Sequence, residues 1–225
     1  PFPELLLRGS AGQIGLLHGK TFATQIGRNV GFYLKWFEQV IKLPPKRALV
    51  VAKGFEAVLR KHTPALLEEI DGIAKGAKQS REAILALNAR TDMLVVGRSK
   101  AARGNEHALL SPFERLHGLE DAPHGDLARP GCTALALRGG TAKRPLLALG
   151  QNWDWRRALA GNVVVLRIER QGALPLVTFT EAGMVGKIGF NARRLGVCLN
   201  FLSHKSENPE GPYGAKGIGE APAIC

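Results

Sequence analysis

The 225-residue chain carries a formal net charge of +12, and 45% of its residues are hydrophobic. This apolar content is enough for a sizeable core in one large or two small domains, and a charged share of 22% argues against global disorder. Every uninterrupted apolar run is too short to span a bilayer, so we expect no membrane partner.

The basic residues and the cysteines restrict the partners and the metal sites that we expect. Lys and Arg are scattered without a dense basic run or a nucleic-acid motif, so we expect a solvated basic surface and no nucleic-acid partner. The three cysteines, Cys132, Cys198 and Cys225, form no CxxC pair, which argues against a zinc site, and we expect no metal. So few cysteines fit a reducing compartment, and we expect a cytoplasmic location.

The first part of the chain predicts a short strand followed by helices. Leu5-Leu6-Leu7 is expected to be the strand, and Ser10 to cap a helix. Apolar residues recur at helical spacing from Ile14 to Phe37, although glycines inside this stretch weaken a helix. His18 lies on this helix, and we interpret it as a packed or solvated residue rather than a ligand contact.

Three further helices are predicted from their boundary residues. Pro44-Pro45 ends the first helix, and a second is expected over residues 48–61. Thr63 is expected to cap a helix over residues 64–77, which has proline in its first position, and Ser80 to cap the next one. These segments make the part of the chain before Cys132 mainly helical.

Polar residues on these helices have two interpretations each. Glu68, Glu69 and Asp71 could hold a metal, but no histidine shares their spacing, so a solvated helix face is favoured. Asn88, Arg90 and Thr91 either brace the core or line a site.

Residues 97–131 show no periodicity and indicate a long loop that leads directly to Cys132. Two apolar runs, residues 133–137 and 145–149, then predict a hairpin with its turn between them. Such a hairpin brings Asn152 and Asp154 back towards Cys132. A thiol, a carboxamide and a carboxylate together favour acyl transfer, whereas the alternative for a lone cysteine is a small buried hydrophobe.

Short apolar or alternating runs follow Asp154 and predict an antiparallel sheet. Together with the helices they predict an α+β fold. The runs cover residues 162–169, 174–180, 184–190 and 195–201.

Several ordered motifs resemble the cysteine N-terminal-nucleophile acyltransferases related to acyl-CoA:6-aminopenicillanate acyltransferase (isopenicillin N acyltransferase, peptidase family C45). The resemblance covers most of residues 5–205. Its motifs are Gly131-Cys132-Thr133, Gln151-Asn152-Trp153-Asp154-Trp155, residues 180–191 and residues 196–201, with upstream matches at residues 9–20 and 84–91.

The resemblance implies an αββα sandwich and a precursor that cuts itself between Gly131 and Cys132. Cys132 then becomes an amino-terminal nucleophile for small-molecule amides or acyl-CoA thioesters, and no cofactor is required. Asp154 matches an active-site carboxylate, and Asn200 is expected near the oxyanion position. Trp153, Trp155 and Glu181 are the expected substrate-binding residues, with core packing as the alternative for the two tryptophans.

Three segments follow from this interpretation: a helical part over residues 1–131, a nucleophile-bearing sheet over residues 132–206 and a Gly-rich tail over residues 207–225. Residues 211–222 resemble instead a segment of molybdenum hydroxylase large subunits, in which Glu220 matches the active-site base. The family continues beyond this point, so we expect an incomplete αββα fold whose uncovered sheet favours self-association. The alternative function is a truncated or chimeric, catalytically inactive relative.

Overall fold

The computed structural model describes residues 1–93, 132–141 and 143–200. Helices and strands both occur in these ranges, which confirms the predicted α+β class. No helix of the described residues is long and apolar enough to cross a membrane. The elements in chain order are β1 (Glu4–Gly9), α1 (Ala11–Thr21), α2 (Ala23–Ile41), α3 (Pro45–Lys53), α4 (Phe55–His62), α5 (Pro64–Ala77), α6 (Arg81–Asn88), β2 (Cys132–Thr141), β3 (Arg144–Trp153), a 3-10 helix (Arg157–Asn162), β4 (Val163–Arg170), β5 (Leu176–Glu181), β6 (Ile188–Asn191) and β7 (Gly196–Val197).

Two sheets are present. The larger has the strand order β1-β4-β5-β6-β7, in which β1 and β4 run parallel and the remaining neighbours run antiparallel. The smaller is the predicted hairpin, in which β2 pairs antiparallel with β3 from Cys132 opposite Trp153 to Thr141 opposite Arg144. The amino-terminal strand thus joins the sheet built by the second half of the chain.

The core lies between the helices and one face of the larger sheet. Leu7 of β1 and Leu166 of β4 are fully buried in the same apolar cluster as the inner faces of the helices. Leu166 pairs with Thr178, so Phe179, the next residue of β5, points to the opposite face. There its ring meets Trp153 of the hairpin edge-on at 5.8 Å. Helices, sheet and hairpin therefore form three successive layers in the described ranges.

The predicted helix starts at Ser10 and Ser80 are confirmed. The Ser10 hydroxyl accepts from the Gln13 backbone at 3.4 Å, and the Gln13 side chain accepts from the Ser10 backbone at 2.9 Å, which completes a capping box. Ser80 accepts from the backbone of Ala83 at 3.1 Å. Thr63 does precede the helix Pro64–Ala77, but its hydroxyl meets no hydrogen-bond partner in the described structure.

Two helices that the sequence predicted as continuous are each divided. The first breaks between α1 and α2 at Phe22, whose backbone leaves the helical region while its buried ring packs edge-on against His18. The second breaks at Gly54, between α3 and α4. The strand expected over residues 184–190 begins only at Ile188. Residues 181–185 form a turn instead, and side chains of three helices hold it.

Helices α1 and α5 touch through their backbones. A methyl group on Gly15 would lie 2.0 Å from the carbonyl oxygen of Glu69, and one on Gly72 would lie 2.5 Å from that of Gly12. Glycines that weaken an isolated helix therefore permit this close contact. The sequence indicated only their cost.

Glu69 corrects the prediction of a solvated carboxylate face on α5. Its side chain is fully buried and pairs with Arg170 of β4. Burial raises the pKa of Glu69 to about 7, and the adjacent Arg170 guanidinium opposes that shift. Asp71 is half-exposed, and it accepts from Arg81 at 2.8 Å.

The hairpin exposes leucines on both of its faces. Leu135 and Leu137 lie on one face and are 56% and 53% exposed, while Leu147 and Leu149 lie on the other and are 72% and 47% exposed. Alternate residues of a strand project to the same face, so each hairpin strand presents two neighbouring exposed leucines.

Candidate functional site

Cys132 begins β2 and pairs with Trp153 at the end of β3. Its thiol is free and half-buried. Asp154 follows Trp153 directly, is exposed, and accepts from the Asn152 amide at 3.3 Å. The predicted hairpin is therefore confirmed. Asp154 directly follows Trp153, the residue that pairs with Cys132.

Gln151 binds the segment that follows β7 to the hairpin. Its side-chain oxygen accepts from the backbone N–H of Leu199 at 2.8 Å, and its side-chain nitrogen donates to the Leu199 carbonyl at 2.5 Å. Gly196, three residues earlier, lies against the Leu149 side chain. The segment thus advances along β3 towards Trp153, and the exposed Asn200 is its next residue.

A buried cation lies beside Trp153. The Lys187 ammonium is 3.7 Å from the centre of the Trp153 ring and 3.8 Å from Oε1 of Glu181. Directly opposed residues of an antiparallel pair project to the same face, so Cys132 shares the face of Trp153. Lys187 therefore lies on the side of the hairpin towards which the thiol projects.

Glu181 ends β5 and is fully buried. Its Oε2 accepts from the Tyr33 hydroxyl at 2.7 Å, and that hydroxyl accepts from the Trp155 indole nitrogen at 2.8 Å. Burial and the nearby Glu181 carboxylate raise the pKa of Tyr33 well above its usual value, so the phenol remains a donor. Trp155 also packs edge-on against Trp36 at 5.8 Å, which ties it to the helical core.

The turn over residues 181–185 is held by three helices. His18 of α1 accepts from the Gly183 backbone at 3.1 Å, Asn29 of α2 donates to the carbonyl of the preceding alanine at 2.8 Å, and Asn88 of α6 donates to the Gly183 carbonyl at 3.0 Å. Gly183 has a φ of +93°, which favours glycine. Burial lowers the pKa of His18 to about 4, so the ring is a neutral acceptor.

The predicted site residues thus fall into two groups. Cys132 and Asp154 lie at one end of the hairpin, and Asn200 follows the segment bound beside them. Trp155 and Glu181 belong to the polar contact between α2 and the sheet, and Trp153 lies between the two groups.

Sequence reasoning missed three residues that hold these groups. Gln151 acts within the first group and Tyr33 within the second, and Lys187 lies between Trp153 and Glu181. The sequence offered one signal for two of them: Gln151 lies in the motif over residues 151–155, and Lys187 lies in the motif over residues 180–191. Gly131 and residues 201–225, including Cys225 and Glu220, lie outside the described structure. Its ranges contain no group of three or more histidine, cysteine or carboxylate side chains able to hold a metal.

No protein-family model matches the chain. A curated relative does match: the chain is 29% identical over 205 residues to the 40 kDa form of acyl-coenzyme A:6-aminopenicillanic-acid-acyltransferase from Emericella nidulans. The chain is similar to an acyltransferase. The match covers 91% of this chain and 48% of that relative, so the chain spans about half the length of the curated relative it matches.

This similarity agrees with the acyltransferase resemblance of the sequence motifs. It gives no support to the molybdenum hydroxylase resemblance of residues 211–222, which lie outside the described ranges.

Proposed function

We propose that the chain carries the nucleophile of a self-processing cysteine acyltransferase or amidohydrolase. Its substrates are small-molecule amides or acyl-CoA thioesters, and the reaction passes through an acyl-enzyme on Cys132 without a cofactor. One observation carries the proposal: the pairing of Cys132 with Trp153 groups the thiol with Asp154 at the end of the hairpin. The similarity to an acyltransferase supports the same chemistry.

Self-cleavage between Gly131 and Cys132 supplies the base that the site otherwise lacks. The cleavage frees an α-amino group on the residue that bears the thiol. An α-amine titrates near pH ~7.7–8.0 and a free thiol near ~8.5, so proton transfer between them is nearly balanced. The thiolate then attacks the carbonyl, the amine or thiol of the substrate leaves, and water or an acceptor amine takes the acyl group.

The remaining residues have supporting roles in this proposal. Asp154 orients the freed amine. Asn200 donates to the oxyanion, a role typically worth about 2.7–4 kcal/mol of the activation barrier. Trp153 supplies an apolar wall on the thiol side of the hairpin, and Glu181 holds Lys187 against it.

The proposal is tested by exposing the protein to hexanoyl-coenzyme A and measuring its mass. We expect one hexanoyl group on Cys132, its loss in Cys132→Ala and its persistence in Cys198→Ala, which removes the other cysteine of the described residues. A wild-type protein that acquires no acyl group, or equal labelling of both variants, contradicts it.

A second candidate is a non-catalytic chain that requires a further protein surface over the hairpin. The exposed leucines on both hairpin faces favour it. It predicts a non-cooperative thermal transition together with an unlabelled Cys132.

A further inference from the structure

We infer that Gln151 is a positioning residue that fixes Asn200 relative to Cys132. The inference rests on the proposed function, because it assigns Asn200 the oxyanion position. It assigns Gln151 no contact with substrate.

The side-chain amide of Gln151 binds the backbone of Leu199 as the backbone of a neighbouring strand would. One side chain satisfies both the N–H and the C=O of Leu199, at 2.8 and 2.5 Å. Strand β7 ends at Val197, so Leu199 lies beyond the last ladder pair of the larger sheet. The backbone of Gln151 pairs with Ala134 within the hairpin, which leaves the side chain for this second role.

The contacts along β3 give the direction of the bound segment. Alternate residues of β3 project to the same face of the hairpin. One face therefore carries Leu149, Gln151 and Trp153. Leu149 meets Gly196, Gln151 meets Leu199, and Trp153 stands opposite Cys132. The segment therefore runs towards the thiol end of the hairpin, and Asn200 is the first residue past the Gln151 contact.

Loss of this contact removes the anchor of Asn200 that is nearest along the chain among the described residues. An oxyanion donor acts only when it is held within a fraction of an ångström of its productive position. We therefore expect Gln151→Met to slow acylation of Cys132 by hexanoyl-coenzyme A roughly 10- to 100-fold at saturating probe. The half-saturating probe concentration and the melting temperature stay near wild type. The matched control is Gln171→Met, on the exposed turn after β4.

A double-mutant cycle separates positioning from a merely structural role. If Gln151 acts through Asn200, the double variant Gln151→Met with Asn200→Ala is no slower than Asn200→Ala alone. Multiplicative losses in the double variant contradict the inference. Gln151→Glu is a second variant of the same size that keeps the acceptor for the Leu199 N–H and loses the donor, and we expect it to be slow as well.

Amide exchange at Leu199 tests the contact independently of catalysis. We expect at least about 10-fold faster exchange in Gln151→Met and no change in Gln171→Met. A further outcome is a wild type that fails to acylate while Gln151→Met still speeds exchange at Leu199. In that case the proposed function is wrong, but the hydrogen bonds between Gln151 and Leu199 are confirmed. Unchanged exchange at Leu199 overturns the inference whatever the activity.

Discussion

The backbone N–H of Gly183 donates to Nε2 of His18 at 3.1 Å, inside the protein. Burial lowers the pKa of His18 from 6.5 to about 4. The unfolded chain therefore binds this proton near pH 6.5, whereas the folded chain binds it only near pH 4. The contribution of His18 to the free energy of unfolding is complete above pH 6.5 and is lost as the pH falls to about 4.

We expect His18→Gln to remove this pH dependence. The stability advantage of the wild type over the variant should shrink by about 3 kcal/mol between pH 7 and pH 4, measured by denaturant unfolding. Glu69 acts in the opposite sense, because its pKa near 7 adds stability as the pH falls from 7 to 4.5. Glu69 is present in both proteins, so the difference in their free energies of unfolding isolates the contribution of His18. His62→Gln, on the exposed end of α4, is the control, and a constant difference for His18→Gln contradicts this assignment.

Close backbone contact between α1 and α5 predicts that Gly15→Ala is severely destabilising. The added methyl would lie 2.0 Å from the Glu69 carbonyl oxygen, so the helices must separate. We expect a loss of about 3 kcal/mol or more in the free energy of unfolding. Gly31→Ala in α2 is the control, since among the described residues only its chain neighbours and its own helix backbone come within 4 Å of the new methyl. It should stabilise the protein by about 0.5–1 kcal/mol, and similar effects of the two substitutions would refute the packing argument.

Removal of the Tyr33 hydroxyl is expected to cost about 2–3 kcal/mol, because it leaves Glu181 Oε2 and the Trp155 indole N–H without the bonds of 2.7 and 2.8 Å. Chemical denaturation of Tyr33→Phe measures this loss. A double-mutant cycle with Glu181→Met provides the control. When residue 181 is apolar, Tyr33→Phe should lower the free energy of unfolding by at least about 1 kcal/mol less than in the wild type. Strict additivity would mean that this hydrogen bond contributes nothing.

Local signals predicted the parts of this fold that depend on neighbouring residues. Ser10 and Ser80 cap helices because their hydroxyls bond backbone groups three residues away, and the hairpin follows from two apolar runs around a turn. The break at Phe22 was missed because neither glycine nor proline marks it.

The missed contacts join distant parts of the chain. Asn29 donates to the Ala182 carbonyl and His18 accepts from Gly183, across more than 150 residues in each case. A periodicity in one helix carries no information about such a partner. The resemblance predicts Asn200 near the oxyanion, and this stays a prediction. The Gln151 contact that anchors its segment joins residues 48 positions apart, so no local pattern predicts it.

The leucines on the hairpin predict association between copies of the chain. We expect the sedimentation coefficient to rise with concentration, because the exposed leucines bury apolar area on contact. The double variant Leu135→Lys with Leu137→Lys should weaken this dependence. Val50→Lys, at a 67% exposed position on α3, should leave it unchanged. A wild type that sediments identically at all concentrations would exclude association through this surface.

In the proposed function, Cys132 becomes the first residue of a new chain. Intact-mass measurement of the purified protein and of Cys132→Ala tests it most directly. We expect two wild-type fragments divided between Gly131 and Cys132, and one uncut chain for the variant. An uncut wild-type chain, or the same cut in both proteins, would contradict it.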